Sequence, residues 1–109
     1  MLENEIMHRI QVKASEKGFR LFRNQVGKYK LADGRWLTSG LCVGSSDLIG
    51  FKIQIVTQDM VGKPVALFAA VEVKTDKGKA TVEQVDFLRA VAEAGGVSIL
   101  ARRENDLGS

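Results

Sequence analysis

Hydrophobic and polar positions alternate along this chain with two different periods. Over residues 2–17, Leu2, Ile6, Ile10 and Ala14 recur every four positions. That spacing predicts an amphipathic helix, with Gly18 as its stop. Residues 19–26 read as a strand, with Phe19, Leu21 and Arg23 on one face and Arg20 and Phe22 on the other. Gly27 breaks it, residues 28–31 suggest a second short strand, and Asp33-Gly34 signals a turn. The pattern of residues 36–42 is ambiguous. Gly44-Ser45-Ser46 is a flexible stretch leading to Asp47. Residues 47–57 and, after a turn at 58–63 and Pro64, residues 64–75 both read as strands, and the short turn suggests a hairpin. A polar loop follows at 76–79. Thr81 and Gln84 have the spacing of a capping box. Residues 82–94 are helical in period, with Val85, Leu88 and Ala92 on one stripe and Phe87, Val91 and Ala94 beside it. Gly95-Gly96 ends that helix, residues 97–101 form a last strand, and residues 102–109 read as a flexible tail. A strand, a helix and a strand in succession suggest a parallel pair joined by a crossover.

Charge interrupts the apolar pattern at Glu72-Val73-Lys74, just after the run Val65-Ala66-Leu67-Phe68-Ala69-Ala70-Val71. Residues two apart on a strand point the same way. A strand this apolar should be buried on at least one face, and burying a charge costs several kcal/mol unless it is paired or binds a metal. Glu72 and Lys74 are therefore a structural ion pair or part of a metal-dependent site. Asp47, at the start of the expected hairpin partner, favours the second.

Composition narrows the choice. The 109 residues suit one domain spanning 1–109, and 45% hydrophobic with 27% charged residues is an ordinary globular balance. No apolar run approaches the ~20 residues of a membrane helix. The acidic start, Leu2-Glu3-Asn4-Glu5, lacks the order of a signal peptide. These features suggest a cytoplasmic protein, cellular or viral, with no membrane partner. One cysteine and one histidine, Cys42 and His8, cannot build a Cys/His zinc site in one chain. A metal would be held by carboxylates, which favours magnesium, manganese or calcium. A net charge of +3 is compatible with a nucleic-acid partner. Lys28, Lys30 and Arg35 around Tyr29 and Trp36 suit one too, although Trp36 also suits a core or a subunit interface.

An Asp, a hairpin and then Glu-x-Lys resembles the PD-(D/E)xK nuclease pattern. The flanking residues sharpen the likeness. Gly44-Ser45-Ser46-Asp47-Leu48-Ile49-Gly50 resembles the Gly-x-Pro-Asp-Leu element of the VRR-NUC (virus-type replication-repair nuclease) family. Val71-Glu72-Val73-Lys74-Thr75 resembles its Ile-Glu-Val-Lys-Thr strand, and Gly78-Lys79-Ala80-Thr81-Val82-Glu83-Gln84 its Gly-Arg-Leu-Ser-x-x-Gln loop. Arg23-Asn24 and Gly95-Gly96-Val97 match further elements, in the same order. Ser46 departs from the pattern, standing where the family has proline, and should loosen the approach to Asp47.

The resemblance implies a mixed β-sheet flanked by helices, in the approximate order αββββαβ. It implies Mg²⁺ or Mn²⁺ held by Asp47, Glu72 and the Val73 carbonyl, with Glu3 from the first helix. Lys74 would act on the nucleophilic water, and Gln84 would face Lys74, the water or the scissile phosphate. Arg23, Asn24, Lys77, Lys79 and Thr81 are the candidate DNA contacts; Gln84, Arg23 and Asn24 also have plain structural roles open to them. The activity implied is structure-selective DNA cleavage by a homodimer, including Holliday junction resolution; the alternative is a non-catalytic DNA-binding subunit that keeps the fold.

Overall fold

The computed structural model describes residues 2–108, in the order α1 (Glu3–Glu16), β1 (Phe19–Arg23), β2 (Gly27–Lys30), β3 (Trp36–Ser39), β4 (Leu48–Lys52), β5 (Ala69–Val73), α2 (Val82–Glu93) and β6 (Val97–Ala101). Short 3-10 helices lie at Gln58–Met60 and Glu104–Leu107. The class is α/β, as expected, but five strands precede α2 where four were expected. The strands pair as three two-stranded ladders, not as one mixed sheet: β1 with β4, β2 with β3, and β5 with β6. Two compact units result, one ending at Lys52 and the other starting at Ile53.

In the first unit, α1 packs on β1. Ala14 is buried, and Gln11 donates through Nε2 to the Leu21 carbonyl at 3.2 Å. The face turned inward runs through Met7, Gln11 and Ala14, and the expected stripe is left largely exposed at Leu2, Ile6 and Ile10. β1 and β4 run antiparallel, with Leu21 opposite Gly50. The backbones approach so closely there that a Cβ on Gly50 would lie 1.8 Å from the Arg20 carbonyl oxygen. Glycine at position 50 is thus a condition of this pairing. Tilted rings of Phe22 and Phe51, 6.5 Å apart, cover one face of the ladder. Lys52 closes it, its ammonium 5.2 Å from the centre of the Phe19 ring.

In the second unit, α2 links β5 to β6, and the two strands pair in parallel with Glu72 opposite Leu100. Thr81 and Gln84 form the expected capping box, and α2 and β6 span nearly the expected residues. Val91, 1% exposed, is the most deeply buried large side chain and anchors α2. Gly96 lets the chain turn back tightly, since a Cβ there would lie 2.6 Å from the Phe68 carbonyl oxygen and 2.8 Å from a Val91 methyl.

Two expectations fail in this region. Residues 53–57 and 64–68 carry no ladder, and the expected hairpin is not among the strand pairings of the described residues. β4 takes β1 as its partner through the Gly50 contact, and β5 takes β6 through the crossover helix. A β-prone run forms a strand only where it finds a partner edge. The second concerns burial: Val71 and Val73 are exposed, whereas Ala70, Glu72 and Lys74 on the alternate row are half-buried. The charged pair thus sits on the more covered side of β5. Residues 102–107, expected as a tail, include the second 3-10 helix, where the Asp106 carboxylate accepts the backbone N–H groups of Arg102 and Arg103 at 2.7 and 3.1 Å.

Candidate active site

The candidate residues fall into two groups, one in each unit. In the first unit, the β1–β4 ladder ends where Arg23 faces Leu48, and the Asn24 N–H then donates to the Asp47 carbonyl at 2.8 Å. Asp47 therefore stands one residue ahead of β4, where the sequence suggests. A polar pocket of about 300 Å³ opens beside it, and Glu3, Asn4, Arg23, Asn24 and Asp47 all line it. Four of the candidate residues are thus brought together: Glu3, Arg23, Asn24 and Asp47. Glu5, two positions along the helix from Glu3, is not among its walls. Arg23 donates to the Asn4 side-chain oxygen at 3.3 Å, which ties the strand end to the first turn of α1.

Asn24 uses both ends of its side-chain amide. Its Nδ2 donates to Ser45 Oγ at 2.7 Å and to the Ser46 carbonyl at 2.8 Å, and its Oδ1 accepts the Leu41 N–H at 2.8 Å. Ser45 in turn donates through Oγ to the Cys42 carbonyl at 2.6 Å. The approach to Asp47 is thereby held by hydrogen bonds at the place where the resembling family has a proline. Asn24 is a positioning residue in this arrangement, and its amide is already satisfied without DNA. Ser45 is a residue that the sequence did not mark beyond its place in a flexible stretch. Its bond is to a main-chain carbonyl, which a residue of any type at position 42 would offer, so no spacing announces it.

In the second unit, Glu72 and Lys74 lie on one row of β5. Their carboxylate and ammonium are 3.6 Å apart, with 27% and 21% of the side chains exposed. Backbone bonds from Val97 N–H to Phe68 and from Lys74 N–H to Ala101 show that the even-numbered residues of β5 face β6. The N–H and C=O of Val73 then point to the opposite edge, which has no strand partner among the described residues of this unit. That leaves the Val73 carbonyl free of the ladder, as a metal ligand must be.

Gln84 rises from the first turn of α2. Its Oε1 accepts the Thr81 N–H at 2.9 Å, and its own N–H donates to Thr81 Oγ1 at 3.1 Å. The cap takes up the oxygen and leaves the Nε2 donor group. Gln84 and Glu72 both line a groove of about 400 Å³, together with Phe68, Ala70, Glu83 and Phe87. Glu83 is a second carboxylate on that groove, and the sequence did not mark it. Helical position does, because residues 83 and 84 share the exposed first turn.

Lys77 and Lys79 are exposed on the loop after β5. Arg102 organises that loop, donating through Nη1 to the carbonyls of Thr75 and Gly78. Arg103 adds an ion pair to Asp76 at 2.9 Å. Neither arginine was singled out in the sequence, because a basic pair after a final strand looks like solvent-facing tail. Asp106 has its carboxyl held below the ordinary range, chiefly by the Arg102 backbone N–H, with Arg103 adding to the effect and desolvation opposing it.

Glu3 and Asp47 in the first unit, and Glu72 and the Val73 carbonyl in the second, are hard oxygen donors, the donor type that Mg²⁺ and Mn²⁺ take. Among the described residues, no three Asp, Glu, His or Cys side chains form a group that could hold a metal ion. No described helix is long and apolar enough to cross a membrane. No protein-family model matches the chain, and neither does any curated protein or solved structure.

Proposed function

We propose that the protein is a metal-dependent, structure-selective DNA endonuclease of the PD-(D/E)xK type, resembling the VRR-NUC family. It would act as a homodimer on branched DNA such as a Holliday junction. The observation that carries this reading is the placement of Glu72 and Lys74. They sit 3.6 Å apart on the half-buried row at the end of β5, and Glu72 lines a groove that Gln84 also lines. The polar pocket shared by Glu3, Arg23, Asn24 and Asp47 supports it independently.

In this mechanism the oxygen donors to Mg²⁺ or Mn²⁺ would be Asp47 and Glu3 in the first unit, and Glu72 and the Val73 carbonyl in the second. The bound cation would supply positive charge to the phosphate and lower the pKa of the attacking water. Lys74 would orient that water through Nζ and offset charge developing on the phosphate. Gln84, with its oxygen in the cap, would offer its Nε2 donor to a phosphate oxygen. Lys77, Lys79 and the α2 N-terminus at Thr81 would attract the DNA backbone. A two-fold assembly would present two such sites to opposite strands of a junction. Contacts of this kind read phosphate and shape, so base-sequence preference should be weak.

The test is cleavage of labelled junction, flap and linear DNA by wild type and Lys74→Ala, with Mg²⁺ or Mn²⁺. Cleavage by the wild type, reduced about 10²-fold or more in the variant, is expected. Equal behaviour of the two proteins removes Lys74 from the mechanism. A second reading, a non-catalytic DNA-binding subunit, draws on the same ion pair: Glu72 already has Lys74 as a partner, and Gln84 already serves the helix cap. It predicts DNA binding without turnover and without a metal requirement.

A further inference from the structure

The β2–β3 hairpin carries an exposed aromatic surface that the proposed cleavage chemistry does not use. Its register places Lys28 opposite Thr38 and Lys30 opposite Trp36. Directly opposed residues share a face, so Lys28, Lys30, Trp36 and Thr38 form one side of the ribbon. Trp36 is 65% exposed there. An indole serving a core would be covered, and β2 and β3 pack chiefly on each other.

The charge on this face is of one sign. Neither strand contains Asp or Glu. The acid nearest in sequence, Asp33 in the turn, is held by Arg35 at 2.7 Å. Lys28 and Lys30 have no ion-pair partner among the described residues. They lie two positions apart on one strand, about 7 Å, which suits neighbouring phosphates of an extended backbone. Protein–protein interfaces are depleted in lysine, so two unpaired lysines beside the indole argue against a second protein as the occupant.

We propose that this face is a stacking platform for unpaired nucleobases, with Trp36 as the stacking surface and Lys28 and Lys30 holding adjacent phosphates. It rests on the nucleic-acid part of the proposed function and, among the branched substrates, favours a flap with its single-stranded stretch over a fully paired junction. A base can stack on an exposed ring only if its own face is open, which a continuous duplex does not offer. The platform does not depend on the 2′-hydroxyl, so single strands of DNA and RNA should both bind.

Trp36 is the one tryptophan in the chain, so its fluorescence reports this face alone. The full-length protein is titrated in EDTA with oligothymidylate, oligouridylate and a DNA duplex of equal length. Quenching by both single strands at lower concentrations than by the duplex is expected. Labelled oligothymidylate should bind Trp36→Ala about 5- to 150-fold more weakly, while Trp36→Phe keeps most of the affinity. Replacing Lys28 or Lys30 by alanine should reduce the salt slope by about 0.7 each. Wild-type affinity in Trp36→Ala overturns the proposal. So does equal quenching by the duplex, or an emission shift that follows protein concentration alone, which would mark a second copy as the occupant. Cleavage of flap DNA with unchanged Trp36 emission removes the platform and leaves the nuclease; quenching without cleavage does the reverse.

Discussion

Replacing Asn24 by alanine tests whether the approach to Asp47 is held as the structure indicates. The substitution removes three side-chain hydrogen bonds of 2.7 to 2.8 Å, to Ser45 Oγ, the Ser46 carbonyl and the Leu41 N–H. Each is worth about 0.5–1.5 kcal/mol net. The site is partly open, so water recovers some of the loss, and about 2 kcal/mol is the expected total. With a urea m-value of about 1.5 kcal/mol/M, the unfolding midpoint should fall by about 1.3 M. The backbone bond from Asn24 N–H to the Asp47 carbonyl survives, so β1 and β4 stay in register while residues 41–46 loosen. If Asp47 holds the cation, the Mn²⁺ concentration for half-maximal cleavage should rise about tenfold or more, as when a ligand loses its support. Asn24→Asp is the sharper variant, because it keeps the acceptor for Leu41 but sets a carboxylate oxygen against the Ser46 carbonyl. The two assays are urea unfolding followed by circular dichroism and a Mn²⁺ titration of single-turnover cleavage. An unchanged midpoint together with an unchanged metal requirement would refute the positioning role.

Gly50→Ala should weaken the β1–β4 pairing by about 1–3 kcal/mol or more, because its Cβ would meet the Arg20 carbonyl oxygen at 1.8 Å; urea unfolding measures this, and wild-type stability would show that the backbones can separate freely. Thr81→Ala should cost about 1 kcal/mol and raise hydrogen exchange in the first turn of α2, whereas Thr81→Ser should restore both. The carboxyl of Asp106 titrates below its ordinary value in the folded protein, so its contribution to stability is present above about pH 4 and is lost as pH falls through the folded value. Protection of the amides of residues 102–107, taken relative to their intrinsic exchange rates at each pH, should therefore fall on acidification in the wild type. In Asp106→Ala that protection should already be low at neutral pH and change little with acid.

Elements that specify themselves locally are legible in this chain, and those that depend on a distant edge are not. The capping box at Thr81 and Gln84 makes its own hydrogen bonds, and α2 starts where those residues say. Val97–Ala101 is bounded by Gly96 and forms a strand as expected. By contrast, Trp36 to Ser39 carries no clear period, because both faces of that ribbon are exposed and no core imposes alternation. Ile53, Ile55, Val65 and Leu67 have every local preference for a strand, yet they form none, since pairing depends on a partner edge that composition does not reveal. At the candidate site, the residue types of Asp47, Glu72, Lys74 and Gln84 stand out from their spacing. The supports do not: the Arg102 side chain reaches back to Thr75 and Gly78, 27 and 24 positions away, and no short motif encodes such a contact.

The bond from Asn24 N–H to the Asp47 carbonyl has an evolutionary consequence. It closes residues 25–46 into an excursion whose two ends are fastened 2.8 Å apart. The β2–β3 ribbon belongs entirely to that excursion. Its length and chemistry can therefore drift, or be exchanged for another ribbon, while the clasp at its base keeps Asp47 in register with β1. A chain built this way can change what it grips without relearning where its carboxylate belongs.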